Sequence, residues 1–300
     1  MKAELQAHLE AYITQVGSQQ TAARNIGYSV AAISTYRKGK YEGNIENFEN
    51  KLEEFFANLD AAAKLRGRQV GVDYVPTSIS QSVYETIRLC HLKGGFAMEA
   101  GDAGIGKTMA CRQYCKDYPN SAVYVTVNPC LATVSAFLKL LCRELKITTS
   151  GRKDDMWFNI SDALKGEKKV IIVDEAQHLP IKTIETLRSF FDSNAEIGVC
   201  LVGNIETVTN TGKSKETFAQ IRNRTKLTEI RHTKQITEND IKLLFPDVAE
   251  RKEVALLLHI ARSEQAIRGA VNLYSNAMDN ENTSYDGLIA MAKEMRIRAI

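Results

Sequence analysis

The sequence predicts an α/β core, a parallel sheet with helices, preceded by an all-α domain and followed by a helical lid. Three observations predict it. From about residue 80 to 232, helical stretches alternate with short β-rich runs, the pattern of a parallel sheet covered on both faces. Residues 1 to 60 carry apolar side chains at helical spacing and contain no such runs, and residues 233 to 300 return to that spacing. Between the first two segments, residues 61 to 79 lose periodicity and contain Gly67, Gly71 and Pro76, so they read as a linker.

In the first segment, Leu5, Leu9, Tyr12, Ile13 and Val16 form one helical stripe, and Ile45, Phe48, Leu52, Phe55, Phe56 and Leu59 form another. Between the stripes, Ala23, Gly27 and Ile33 stand where a helix-turn-helix requires a small residue, a turn glycine and a core aliphatic. Ser29 is the expected N-cap of its second helix. In the core, GGFAMEA, AVYVTV, KVIIVDE and IGVCLVGN are the expected strands. Val254, Leu257, Leu258 and Ile260, then Ile267, Val271 and Leu273, supply the apolar positions of the lid.

The chain of 300 residues is 44% hydrophobic and 25% charged, enough for a substantial core. Its net charge of +3 is unevenly spread: 24 Lys/Arg oppose 18 Asp/Glu in residues 61 to 232, whereas both flanking segments are slightly acidic. Six cysteines include no C-x-x-C pair and no histidines at zinc spacing, which points to a reducing cytoplasm rather than to disulfides or a structural metal. No apolar run approaches the ~18 residues of a membrane span, so no membrane partner is expected.

The chemistry concentrates in a few short motifs. Gly101-Asp102-Ala103-Gly104-Ile105-Gly106-Lys107-Thr108 matches G-x-x-x-x-G-K-[ST] between a strand-like and a helix-like run. Its backbone N–H groups would surround the phosphates of ATP, Lys107 would reach the β and γ oxygens, and the Thr108 hydroxyl would ligate Mg²⁺. Sixty-six residues after Thr108, the run Val170 to Val173 ends in Asp174, a second Mg²⁺ ligand, and Glu175, placed to orient the attacking water or take its proton. Gly203-Asn204 ends the last of these strands, where the Asn204 amide could bond that water or the γ-phosphate. Arg222 and Arg224 precede the lid and could reach a neighbour's nucleotide. Arg268, within the lid, could reach phosphates of the same subunit.

The glycine loop, Asp174-Glu175-Ala176-Gln177-His178-Leu179, Gly203-Asn204 and a late arginine, followed by a helical lid, resemble an AAA+ ATPase. More narrowly, the chain resembles the transposition protein B family of Mu and Mu-like phages. That likeness includes the N-terminal helix-turn-helix, the turn Asn128-Pro129-Cys130 and the stretch from Phe218 to Arg224. It implies an ATPase that binds double-stranded DNA without sequence preference, forms helical filaments of itself, and delivers target DNA to a transposase in the bacterial cytoplasm. It also favours Arg224 over Arg222 as the arginine finger. A helicase loader or replication initiator would share the same nucleotide residues and is the alternative. The near-neutral lid directs DNA contact elsewhere, to Arg152 and Lys153 in the basic core. A second region is residues 11 to 41, where Arg24, Arg37, Lys38 and Lys40 occur with no acid. There Ser29, Ser34, Thr35 and Arg37 are candidates to meet DNA.

Overall fold

In the computed structural model, residues 2–67, 73–131, 133–194, 196–207 and 225–298 are described below. The chain divides into two compact units, Met1–Gln69 and Val70–Ile300.

The first unit is helical: α1 (Ala3–Val16), α2 (Gln19–Ile26), α3 (Val30–Arg37) and α4 (Ile45–Gly67). Gly27 ends α2 at φ +82°, a left-handed conformation that glycine adopts without the Cβ penalty, and Ser29 accepts the Ala32 N–H to cap α3. Leu9, Ala23, Ile33, Tyr36, Phe48 and Leu52 are buried in one cluster. The two ends of the second predicted stripe are the exceptions, because Ile45 and Leu59 are exposed. Helix α4 also runs through residues 61 to 67, which the sequence reading placed in a linker. Ala61, Ala62, Ala63, Lys64, Leu65 and Arg66 are all strong helix formers, and Gly67 stands at the helix end rather than within it.

The second unit holds five strands, β1 (Gly95–Gly101), β2 (Ala122–Thr126), β3 (Val170–Asp174), β4 (Gly198–Gly203) and β5 (Thr225–Arg231). They form one all-parallel sheet in the order β2-β3-β4-β1-β5. Successive residues of a strand point to opposite faces, and here both faces are apolar. Val170, Ile172, Cys200 and Val202 enter a core with α5 (Ser78–Lys93) and α6 (Lys107–Asp117). Ile171, Val173, Val199 and Leu201 face the opposite core, built with α7 (Val134–Glu144), α8 (Lys153–Leu164) and α9 (Ile181–Ser193). β5 was not anticipated. Its sequence TKLTEIR is too polar to read as a buried strand, and it lies at the sheet edge, beside β1 alone.

The lid comprises α10 (Glu238–Leu244), α11 (Arg251–Arg262), α12 (Ala266–Asp279) and α13 (Tyr285–Glu294). Its Leu257, Ile260, Ala266, Leu273 and Leu288 are buried in the same cluster as the α5 and α6 face of the sheet. A polar tie adds to this packing. The buried Asp240 carboxylate accepts from Ser78 N at 2.6 Å, Ser78 Oγ at 2.7 Å, Thr237 N at 2.7 Å and Thr237 Oγ1 at 2.9 Å.

Candidate nucleotide site

Because all five strands are parallel, their C-terminal ends share one edge of the sheet, the edge where open α/β sheets bind ligands. β1 ends at Gly101, β3 at Asp174 and β4 at Gly203, so the predicted motifs meet there. The loop from Gly101 leads into the N-terminus of α6, which is Lys107. Gly106 turns at φ +98° to start the helix. Ile105 is fully buried and anchors the loop, so its backbone rather than its side chain is the part of that residue a ligand could meet.

Lys107 is buried, and its Nζ donates to Gly101 O at 2.9 Å and Asp102 O at 2.6 Å. Burial pulls its pKa down, while Asp174, Glu175 and Asp102 act in the opposite direction. Asp102 has a different task from its loop neighbours: its Oδ2 accepts Thr233 N at 2.8 Å and ties the loop to the chain beyond β5. Ala103 is exposed at the tip. Gly104 meets the lid, since its carbonyl accepts Arg268 N at 3.1 Å and a Cβ there would lie 3.2 Å from that of Ala266. Arg268 therefore stands beside the loop, with an exposed side chain.

Thr108 Oγ1 donates to Asp174 Oδ2 at 2.8 Å, and the Tyr124 hydroxyl donates to the same oxygen at 2.8 Å. A hydroxyl and a carboxylate converging from two elements are hard oxygen donors of the kind Mg²⁺ takes, so these residues fit the ion. Tyr124 escaped the sequence reading, because an aromatic in a strand signals only packing. Burial raises its pKa further above the ordinary tyrosine range, and Asp174 adds to that.

Glu175 follows β3 with φ +57°, unusual for a residue with a side chain, and its carboxylate is exposed. Its Oε2 accepts Gln177 Nε2 at 2.5 Å, and Gln177 Oε1 accepts Asn204 N at 3.2 Å. Asn204 Oδ1 accepts Glu206 N at 2.9 Å, so the side-chain NH₂ is the part that can serve an anion or water. On the buried side of β1, Glu99 is fully enclosed. It accepts Thr86 Oγ1 at 2.5 Å and pairs with Arg231 Nη2 at 3.3 Å. Burial pushes its carboxyl up, and Thr86 and Arg231 draw it back.

Arg222 and Arg224 lie outside the described residues. Arg152 and Lys153 are exposed at the start of α8, where Arg152 N donates to Asp155 Oδ2 at 2.8 Å. In the first unit Lys38 is exposed, whereas Arg37 is committed within the chain. Its Nε and Nη2 grip the two Glu10 carboxylate oxygens at 2.6 Å each, and Nη1 donates to Gln19 Oε1 at 2.6 Å.

A family model described as an AAA domain matches residues 91–209, the stretch that carries the glycine loop, Asp174, Glu175 and Asn204. This chain carries an AAA+ domain. The Aeropyrum pernix ORC1 protein, solved in complex with DNA, shares the AAA+ fold. Its TM-score is 0.52 at 14% identity, over 73% of this chain and 64% of that one. Among curated proteins, the chain is 31% identical over 193 residues to the Mu-like prophage FluMu DNA transposition protein B of Haemophilus influenzae. That match covers 64% of this chain and 66% of the relative, just under two thirds of its length. The ATP-dependent target DNA activator B of Escherichia phage Mu is 29% identical over 265 residues, 85% of this chain and 82% of the relative. Among the described residues, no helix is long and apolar enough to cross a membrane.

Proposed function

We propose that this protein hydrolyses ATP to ADP and phosphate and, in its ATP-bound state, binds double-stranded DNA without sequence preference. It oligomerises along that DNA as a helical filament and delivers it to a transposase, in the cytoplasm of a bacterial host. The observation that carries this reading is the pairing of Thr108 with Asp174 beside the Lys107 loop, in a chain similar over 85% of its length to an ATP-dependent target DNA activator.

The residues divide the work by position. Lys107 and the loop N–H groups hold the β and γ phosphates, Thr108 and Asp174 hold Mg²⁺, and Tyr124 fixes the Asp174 oxygen they share. Bound there, Mg²⁺ would neutralise charge on the transferring phosphoryl group. Glu175 orients the attacking water and accepts its proton, and the Asn204 NH₂ bonds that water or the γ-phosphate. Arg224 of one subunit reaches the nucleotide of the next, and Arg268 contacts phosphates in its own subunit. In the second unit the exposed cations Arg152 and Lys153 contact DNA, and in the first unit Lys38 does, with Arg37 as a weaker contributor because Glu10 already occupies it. In this reading residues 1–60 are the helix-turn-helix domain, 80–232 the ATPase core and 233–300 the lid.

Electron microscopy of the protein with random-sequence duplex DNA tests the assembly. Filaments are expected with ATP and not with ADP, and purified transposase is expected to sediment with them. Discrete complexes on one preferred sequence would contradict the reading and indicate a replication initiator or loader.

A further inference from the structure

The Gln177 side chain bridges the ends of two strands, and its orientation follows from its partners. Asn204 N can only donate, so it must face Gln177 Oε1, which directs the Gln177 NH₂ at Glu175 Oε2. The bridge is closely fitted, since a Cβ on Gly203 would lie 2.4 Å from Gln177 Oε1. Without this amide, Glu175 would be an exposed side chain on a left-handed backbone, free to sample several rotamers.

We propose that Gln177 is a positioning residue that aims the Glu175 carboxylate by tying it to the backbone of Asn204. The tie holds one carboxylate oxygen and leaves the other for water. It also makes the carboxylate follow any movement of the end of β4, so the two groups that meet the attacking water move as one unit. Among the described residues, the Gln177 side-chain hydrogen bonds go to Glu175 and Asn204 and not to Lys107, Thr108 or Asp174, which separates its effect from binding. The proposal rests on the reading of Glu175 as the residue that orients water.

Steady-state hydrolysis and titration with a fluorescent ATP analogue test it in Gln177→Ala, Gln177→Glu and Glu175→Gln. Gln177→Ala is expected to lower kcat about 10- to 100-fold with KM and analogue affinity unchanged. Gln177→Glu still accepts from Asn204 N but replaces the donor to Glu175 with a second carboxylate oxygen, which can only accept. Its kcat is therefore expected to fall as far as that of Gln177→Ala, again with KM and analogue affinity unchanged, because the tie to Asn204 alone does not aim the carboxylate. An inactive Glu175→Gln beside a Gln177→Ala with wild-type kcat would overturn this proposal alone. Wild-type turnover in Glu175→Gln would overturn the reading of Glu175 and the proposal with it. Wild-type kcat in Gln177→Glu would also overturn the proposal, and loss of analogue affinity in Gln177→Ala would show a merely structural role.

Discussion

At the proposed nucleotide edge of the sheet, the charged and polar side chains assigned to the chemistry are held by other parts of the chain. Lys107 is fixed by two loop carbonyls, Asp174 by two hydroxyls, and Glu175 by an amide. In the N-terminal unit the balance differs. Aromatic and aliphatic side chains such as Tyr36, Phe48 and Leu52 are buried, while Lys38 is exposed and Arg37 is spent on Glu10. Preorganisation separates the two: a catalytic edge needs fixed groups before substrate arrives, whereas a surface that follows a phosphate backbone needs only charge at the right density.

The largest effect that can break this comparison is at Lys107. Lys107→Ala is expected to lower ATP affinity by more than about 100-fold, measured by analogue titration, and to abolish DNA binding with it. DNA binding at wild-type strength would show that the two regions act independently. Glu175→Gln comes next. It is expected to slow hydrolysis by about 100- to 1,000-fold and to leave ATP-bound protein coated on DNA, seen as persistent sedimentation.

Asp240 sharpens the structural half of the argument. Burial pushes its carboxyl up, but the hydrogen bonds from Ser78 and Thr237 outweigh burial and hold it below the ordinary range. That stability is fully present above the unfolded carboxylate pKa and is lost as pH falls through the lower folded value. Asp240→Ala is expected to cost about 3 kcal/mol in urea unfolding at pH 7, with the difference from wild type shrinking toward pH 3. The smallest effects belong to the first unit. Arg37→Ala should cost at most about 1 kcal/mol of stability and change DNA affinity less than Lys38→Ala does, measured at matched salt.

What the sequence made legible follows the same division. The glycine loop, Asp174 and Glu175 are local strings whose spacing carries chemistry, and they meet because parallel strands end on one edge. Ala23, Gly27 and Ser29 were readable for a similar reason, since turn and cap positions have local residue preferences. Tyr124, Gln177 and the Glu99–Arg231 pair were not readable. Each depends on a partner tens of residues away, and each residue type has an ordinary surface or packing role. β5 was missed because an edge strand needs little apolar character, and the Arg37–Glu10 pair because it joins α1 to α3.

The central claim is that occupancy of the nucleotide edge controls DNA binding. Fluorescence anisotropy of a labelled random-sequence duplex, titrated with protein in ATP, in ADP and without nucleotide, tests it most directly. The account predicts tight, salt-sensitive binding in ATP alone; equal affinity under all three conditions would contradict it.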